Sequence, residues 1–354
     1  MKRRFIYIIL ILSIMMYTFG SNSVSWFISS AASGDNAFTV GTMDIGIGEG
    51  EDGSGQIDLG GLAPDRVIEQ RIKIRNKGTL DCKLYGIRFN SLGSLSDIGD
   101  SLNFHIYFTK DEGNEISTSD IPVFYNYVNT ILDDHVIFYP IIVEAGDEII
   151  MVFRAELDQL QIGEEHSKAE DSILDFEILA AQIDTPLDEL SERYKLLENY
   201  QSVQEALNNI WDADVLIVGA NEYQCDRLTL NNKENVSIVG VGEENIPEFR
   251  YTEEKNNNKK GNPNQYFLSF NDCSGIIMRS IALGYYMDNK TYSIETNSQG
   301  PKPKKPLYID GDFNQVNTYL NGEFEGKANP GHIEIVGRNN IIFIDGEIYK
   351  PPQS

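Results

Sequence analysis

Asp310-Gly311-Asp312 is the carboxylate pair in this chain best suited to hydrolytic chemistry. Glycoside cleavage needs two such groups several ångströms apart, one to donate a proton and one to act as base or nucleophile. With Asn314 the pair also forms a run of oxygen ligands for Ca2+. The glycine and distant glutamate of a calcium-binding helix-loop-helix are not in place, however, and one D-x-D in so acidic a chain also arises from composition alone. The four histidines, His105, His135, His166 and His332, have no H-E-x-x-H or other metal-ligand spacing. His105 falls opposite the apolar side of its strand and is expected in solvent. His135 follows Asp133-Asp134 and His166 follows Glu164-Glu165, as in solvated loops. Cys82, Cys225 and Cys273 are too few for a disulfide framework or a four-cysteine zinc site. Cys225 and Cys273 stand at different offsets from their strands, which argues against a bridge between them.

The elements that position these groups begin with an address. Lys2-Arg3-Arg4, the apolar run Phe5 to Phe19 and the small polar residues after it have the layout of a secretory leader, residues 1–25. Ser23 and Ser25 put small side chains at −3 and −1 of a cleavage site for signal peptidase. The apolar run is about fifteen residues, short of the roughly twenty needed to span a bilayer; an uncleaved anchor is the alternative. The expected location is outside the cell, in the matrix or at the surface. Of 354 residues, 29 are Lys or Arg and 54 are Asp or Glu, a net charge of −25 that repels phosphate backbones and excludes nucleic acid as a partner. The length suits two or three domains.

From residue 37 to residue 183 the pattern is that of short strands. Phe38, Val40, Met43, Ile45 and Ile47 alternate, with Gly41-Thr42 shifting the phase as a bulge would. Val67–Arg75 stops at the turn Asn76-Lys77-Gly78. Cys82–Phe89, Leu102–Phe108, Ile149–Phe153 and Ile173–Leu179 complete the set. This predicts two antiparallel sheets packed face to face over residues 26–183.

The residues Trp26-Phe27-Ile28 after the leader, the strand with Phe38, Gly41, Thr42 and Asp44, the Gly61-Leu62-Ala63-Pro64 turn and Arg71–Asp81 together resemble the TasA/camelysin family of exported bacterial proteins. Val143–Asp147 and Phe176–Gln182 are similar to its late turn and last strand. Asp65 stands where the family has Gly after Pro, and Met43 and Ile45 replace leucines. The resemblance implies a jelly-roll-like sandwich and a matrix or surface subunit. It also implies assembly by pairing of the segment freed by leader removal, here Trp26 to Asp35, with the sheet of the next copy. An unpaired sheet edge gives such a strand its hydrogen-bond partners. The alternative is that the segment folds onto its own domain. Some family members have been classed as metallopeptidases, which the histidine spacing here does not support.

Residues 184–212 read as linker and capping helices. Leu190, Tyr194 and Leu197 form one stripe of a helix over 187–200, and Ser202-Val203-Gln204-Glu205 opens a second through Ile210. Over residues 213–350 three sets recur at offsets 0, 2, 8 and 10: Leu228, Leu230, Val236, Ile238; Leu268, Phe270, Ile276, Met278; and Ile333, Ile335, Ile341, Phe343. Asn235, Gly275 and Asn340 precede the second pair of each set, where a left-handed residue would turn a corner. Two-strand units that cannot bury their own apolar side must stack on copies of themselves. Val215–Val218 is expected as the first strand and Leu307-Tyr308-Ile309 as a less regular repeat, with residues 351–354 a tail. The run from Val203 to Gly240 resembles the opening of pectate-lyase-like right-handed parallel β-helix proteins, a group containing lyases, glycosidases, adhesins and non-catalytic modules.

The overall expectation is a mainly β chain with an antiparallel sandwich joined by short helices to a small right-handed parallel β-helix. Functionally it is a structural protein of the matrix or surface, self-associating or joining other matrix subunits. The alternative is a polysaccharide-binding protein, or a lyase or glycosidase, delivered by its N-terminal half. No cofactor is expected beyond Ca2+ at the acidic corner.

Overall fold

Period-two alternation broken by Gly, Asn and Asp turns favours strands, and the computed structural model is mainly β. It describes residues 42–48, 54–63, 66–91, 95, 98–110, 122–131, 136–157, 173–242, 245–251, 266–285, 305–322 and 333–349. The leader, the segment Trp26 to Asp35, Phe38, Gly41, His135, His166 and His332 lie outside the described residues.

The first half contains β1 (Ile45–Ile47), β2 (Ser54–Asp58), β3 (Ile68–Asn76), β4 (Cys82–Ser91), β5 (Leu102–Thr109), β6 (Phe124–Tyr127), β7 (Val136–Val143), β8 (Glu148–Leu157) and β9 (Ile173–Gln182). They form two antiparallel sheets, sheet A in the order β1-β3-β8-β5-β6 and sheet B in the order β2-β9-β4-β7. Leu102, Phe104 and Ile106 face inward as the alternation requires, and Phe104 meets Phe153 edge-on at 4.8 Å with Phe89 at 6.0 Å. The opposite face of β5 is buried too. His105 is therefore not in solvent: its ring lies 3.8 Å from that of Tyr125, and its Nε2 is 2.9 Å from Glu156 Oε1. The alternation identified the inner face correctly, but not the cover on the outer one.

The helix expected over 187–200 is absent. Residues Leu187–Glu189 and Leu197–Asn199 are single 3-10 turns, and between them Tyr194–Leu196 forms β10, parallel to β11 (Val215–Gly219). Strand pairing gives the edge of β11 its backbone partners, for example Val215 N–H to Arg193 C=O at 2.9 Å, which a helix could not do. Helix α1 (Val203–Asn209) forms as its cap predicts: Ser202 Oγ accepts from Glu205 N–H at 3.1 Å, and the Glu205 carboxylate accepts from Gln201 N–H at 2.7 Å.

The second half then runs β12 (Glu222–Cys225), β13 (Leu228–Asn231), β14 (Ser237–Val241), β15 (Glu248–Tyr251), β16 (Tyr266–Asn271), β17 (Ile277–Tyr285), β18 (Lys305–Asp310), β19 (Gln315–Gly322), β20 (Ile333–Val336), β21 (Ile341–Ile344) and β22 (Glu347–Ile348). Successive strands alternate between two sheets whose neighbours are parallel. In sheet D, β13-β16-β18-β20, the rows Leu228-Leu268-Leu307-Ile333 and Leu230-Phe270-Ile309-Ile335 are in register. In sheet C, β10-β11-β14-β17-β19-β21, the inward row is Leu216-Ile238-Met278-Val316-Ile342. β12 and β15 flank part of sheet C, and β22 turns back antiparallel on β21. We call this half the stack.

The last repeat departs from the expected spacing. Ile342 and Ile344, not Ile341 and Phe343, enter the stack core, and Asn340 occupies the row of Val236 and Ile276. The corners after β18 and β20 are one residue shorter. Gly311 (φ +134°) and Gly337 (φ +118°) make this contraction, and a Cβ on Gly311 would lie 1.8 Å from Cys273 O. In the longer corners the left-handed residues include Asn235 and Gly275 as expected; in the last corner the bend falls on Asn339, not Asn340.

Candidate functional site

Thr42 and Asp44 of the N-terminal motif are moored to the turn after β3. Lys77 N–H donates to Asp44 O at 2.7 Å, Thr79 N–H to Thr42 O at 2.8 Å, and Thr42 N–H to Thr79 Oγ1 at 2.9 Å. Gly78 permits this approach, since a Cβ there would sit 2.3 Å from Thr42 O. Buried Asn76 links the turn to the late one: its Nδ2 donates to Leu80 O and Val143 O, and its backbone bonds Gly146 and Asp147. Three separated pieces of the sequence motif thus meet at one end of the sandwich.

The acidic corner is built into the stack. Asn314 is fully buried; its Oδ1 accepts from Ile276 N–H at 3.0 Å, and its Nδ2 donates to Cys273 O and Asn340 Oδ1. Asp312 Oδ1 accepts from Arg338 N–H at 2.7 Å, and Asp310 Oδ2 lies 3.5 Å from Tyr308 Oη. These residues are brought close together, but each is engaged in holding one corner against the next. Among the described residues no group of three or more His, Cys, Asp or Glu is placed to hold a metal ion.

Two clusters were not foreseen. Glu222 and Glu248 are register partners on neighbouring strands, and Arg250 ties them together with contacts of 2.6 and 3.1 Å, while Asn321 donates to Glu248 at 3.1 Å. An acid pair clamped in this way locks three strands together. The second cluster is on the outward face of sheet D. Tyr266 donates to Glu334, Lys305 Nζ reaches Tyr266 Oη at 3.1 Å and sits over its ring, and the Tyr266 and Tyr308 rings are 5.2 Å apart. Burial, then the nearby acids, raises both phenol pKa values, so both stay neutral donors. The two half-buried rings, with Asp310 Oδ2 3.5 Å from Tyr308 Oη, form an aromatic pair with polar groups at its edge, a surface on which a sugar ring could stack and hydrogen-bond. The offsets put Tyr308 outward, one residue after inward Leu307; nothing in the pattern marked the acid pair.

The other face of the stack is buried against the sandwich. Nearest the connection between them, Phe138 and Tyr194 pack with Val215, Ile217 and Val239. Further along, Arg279 is buried with no carboxylate on it among the described residues: Nη1 donates to Val123 O at 2.8 Å, and the guanidinium lies 4.8 Å from the Tyr139 ring centre. Burial pulls its pKa down to about 10. Gln315 Oε1 accepts from Tyr125 N–H, and Asn126 Nδ2 donates to Phe313 O at 2.6 Å. A lone cation inside the apolar run 276–283 was the sequence signal for this seam. All three cysteines are free buried thiols.

No family model matches the chain, and no curated protein and no solved structure matches it either.

Proposed function

We propose that the chain is a secreted bacterial matrix or cell-surface structural protein. Its front half is a TasA/camelysin-like jelly-roll sandwich, and its rear half is a small right-handed parallel β-helix packed against it, with the opposite face on display. The observation that carries this reading is the mooring of Thr42 and Asp44 on the Asn76–Leu80 turn, beside edge strand β1. Strand addition between copies at such an edge is chemically natural. Head-to-tail repetition of that step makes an open filament. The excess of 54 acids over 29 bases makes such contacts sensitive to salt and Ca2+. The test is electron microscopy of the secreted form with and without Trp26 to Asp35: filaments that vanish on deletion support it, and filaments indifferent to deletion overturn it.

The outward Tyr266–Tyr308 platform favours a second reading, a module that binds polysaccharide or cleaves it. Incubation with neutral and acidic polysaccharides, with and without Ca2+, separates these. Retention without new reducing ends marks a binder, and new reducing ends or unsaturated products mark an enzyme.

A further inference from the structure

The aromatic pair on the outward face of sheet D already holds one ammonium group. Lys305 Nζ sits over the Tyr266 ring, 5.1 Å from its centre, donates to Tyr266 Oη at 3.1 Å and lies 3.6 Å from Glu334 Oε2. Glu334 in turn accepts from Tyr266 Oη. A ring face, a phenol oxygen and a carboxylate converge on one cation, the combination by which proteins recognise ammonium groups. The neighbouring half of the surface repeats these parts without a lysine. The Tyr308 ring stands 5.2 Å from the Tyr266 ring at an angle of 35°, and Asp310 Oδ2 is 3.5 Å from Tyr308 Oη. Asp272 is brought beside Asp310 by the bond from Cys273 N–H to Asp310 O at 2.9 Å. Arg338, at the adjacent corner, is engaged by Asp312 at 3.4 Å. Among the described residues no basic side chain forms an ion pair with Asp310 or Asp272.

We propose that this surface binds a polysaccharide of amino sugars carrying free ammonium groups, a chain of the polyglucosamine kind, in preference to a neutral or an acidic one. This rests on the reading of the Tyr266–Tyr308 pair as a surface for sugars. Lys305 is the chain's own stand-in for such a ligand and marks the charge the surface accepts. A sugar ring lays its C–H face on Tyr308 while its ammonium meets Asp310 and Asp272. Neighbouring strands stand about 4.8 Å apart, close to the length of one sugar in an extended chain, so a polymer crossing the coils brings its next ring toward Tyr266 and Glu334. A uronate polymer would set its carboxylates against Asp310, Asp272 and Glu334, on a chain of net charge −25. N-acetylation of the sugar removes the ammonium and leaves Asp310 and Asp272 without a counter-charge.

Isothermal titration of the full mature chain compares a glucosamine hexamer at mildly acidic pH with its N-acetylated form, a galacturonate hexamer and hexalysine. The expected result is a glucosamine Kd at least about tenfold below that of the N-acetylated form, and no binding of galacturonate. Asp310→Asn should lose most of that preference, and Tyr308→Ala should lose both glucosamine forms. Lys305→Met, which removes the resident ammonium, should tighten the glucosamine hexamer. Glu189→Gln, an exposed acid on the turn before β10, should change nothing and so controls for general attraction to a polyanion. Circular dichroism checks each fold; if Tyr308→Ala does not fold, Asp310→Asn and Lys305→Met carry the test. Equal affinity for the two glucosamine forms overturns this proposal and leaves the sugar surface standing, whereas binding of none of the saccharides overturns both. A preference that survives Asp310→Asn overturns it as general attraction to acids, and hexalysine binding as tightly overturns it in favour of a basic peptide.

Discussion

Cys82 and Cys225 are buried thiols, and their titration gives the fold a pH limit. Burial first, then Asp81, pushes Cys82 up to about 11; burial is also the main cause that pushes Cys225 up to about 12, against an ordinary value of 9.0. Above pH 9 the unfolded chain releases these protons while the folded chain keeps them. Stability is therefore full below pH 9 and falls as pH rises toward 11, by at most about 1.4 kcal/mol per pH unit for each thiol. Thermal midpoints measured from pH 7 to 11 should decline, and Cys225→Ala should flatten the decline; parallel slopes would remove the thiols from the account. At this scale the sequence was only partly informative. Asn314 was read as an oxygen ligand beside Asp310 and Asp312, not as a buried strut, because that role depends on Cys273 and Asn340, which are distant in sequence.

Among the elements, α1 seals the first edge of sheet D through one side chain. Gln204 Nε2 donates to Thr229 O at 2.9 Å, and Gln204 Oε1 accepts from Thr229 N–H at 2.8 Å, so an amide stands in for a missing strand. Gln204→Ala should cost about 1–2 kcal/mol in urea unfolding and speed exchange of the Thr229 amide, with exchange in the sandwich unchanged. The capping box that starts this helix could be read directly from Ser202 and Glu205, as could the inward rows of β13, β14, β16 and β17. Two things were hidden. A stripe of Leu190, Tyr194 and Leu197 fits a helix as well as a strand flanked by turns, and only the pairing need of β11 decides between them. The shortened corners at Gly311 and Gly337 shift the register of everything after them, a change visible only once the repeats are laid side by side.

At the level of the whole molecule, the sandwich and the stack have separate cores joined by apolar contacts: Ile277 of β17 packs into the sandwich cluster, and Phe138 of β7 into the stack face. Calorimetry of the mature chain should therefore give one unfolding transition. Phe138→Ala should lower it and split it in two, with an expected loss of about 3–5 kcal/mol at that contact; a parent that already unfolds in two steps would refute coupling through this seam. The ends of the stack carry a further consequence. Helix α1 stoppers one end, while β22 and Tyr349, whose N–H donates to Ile342 O at 2.7 Å, stopper the other. Splicing two such ladders end to end would have to displace both plugs. A fibre of the kind proposed would then lengthen through its front halves alone, each ladder lying along its own sandwich with the outer sheet turned to the surroundings.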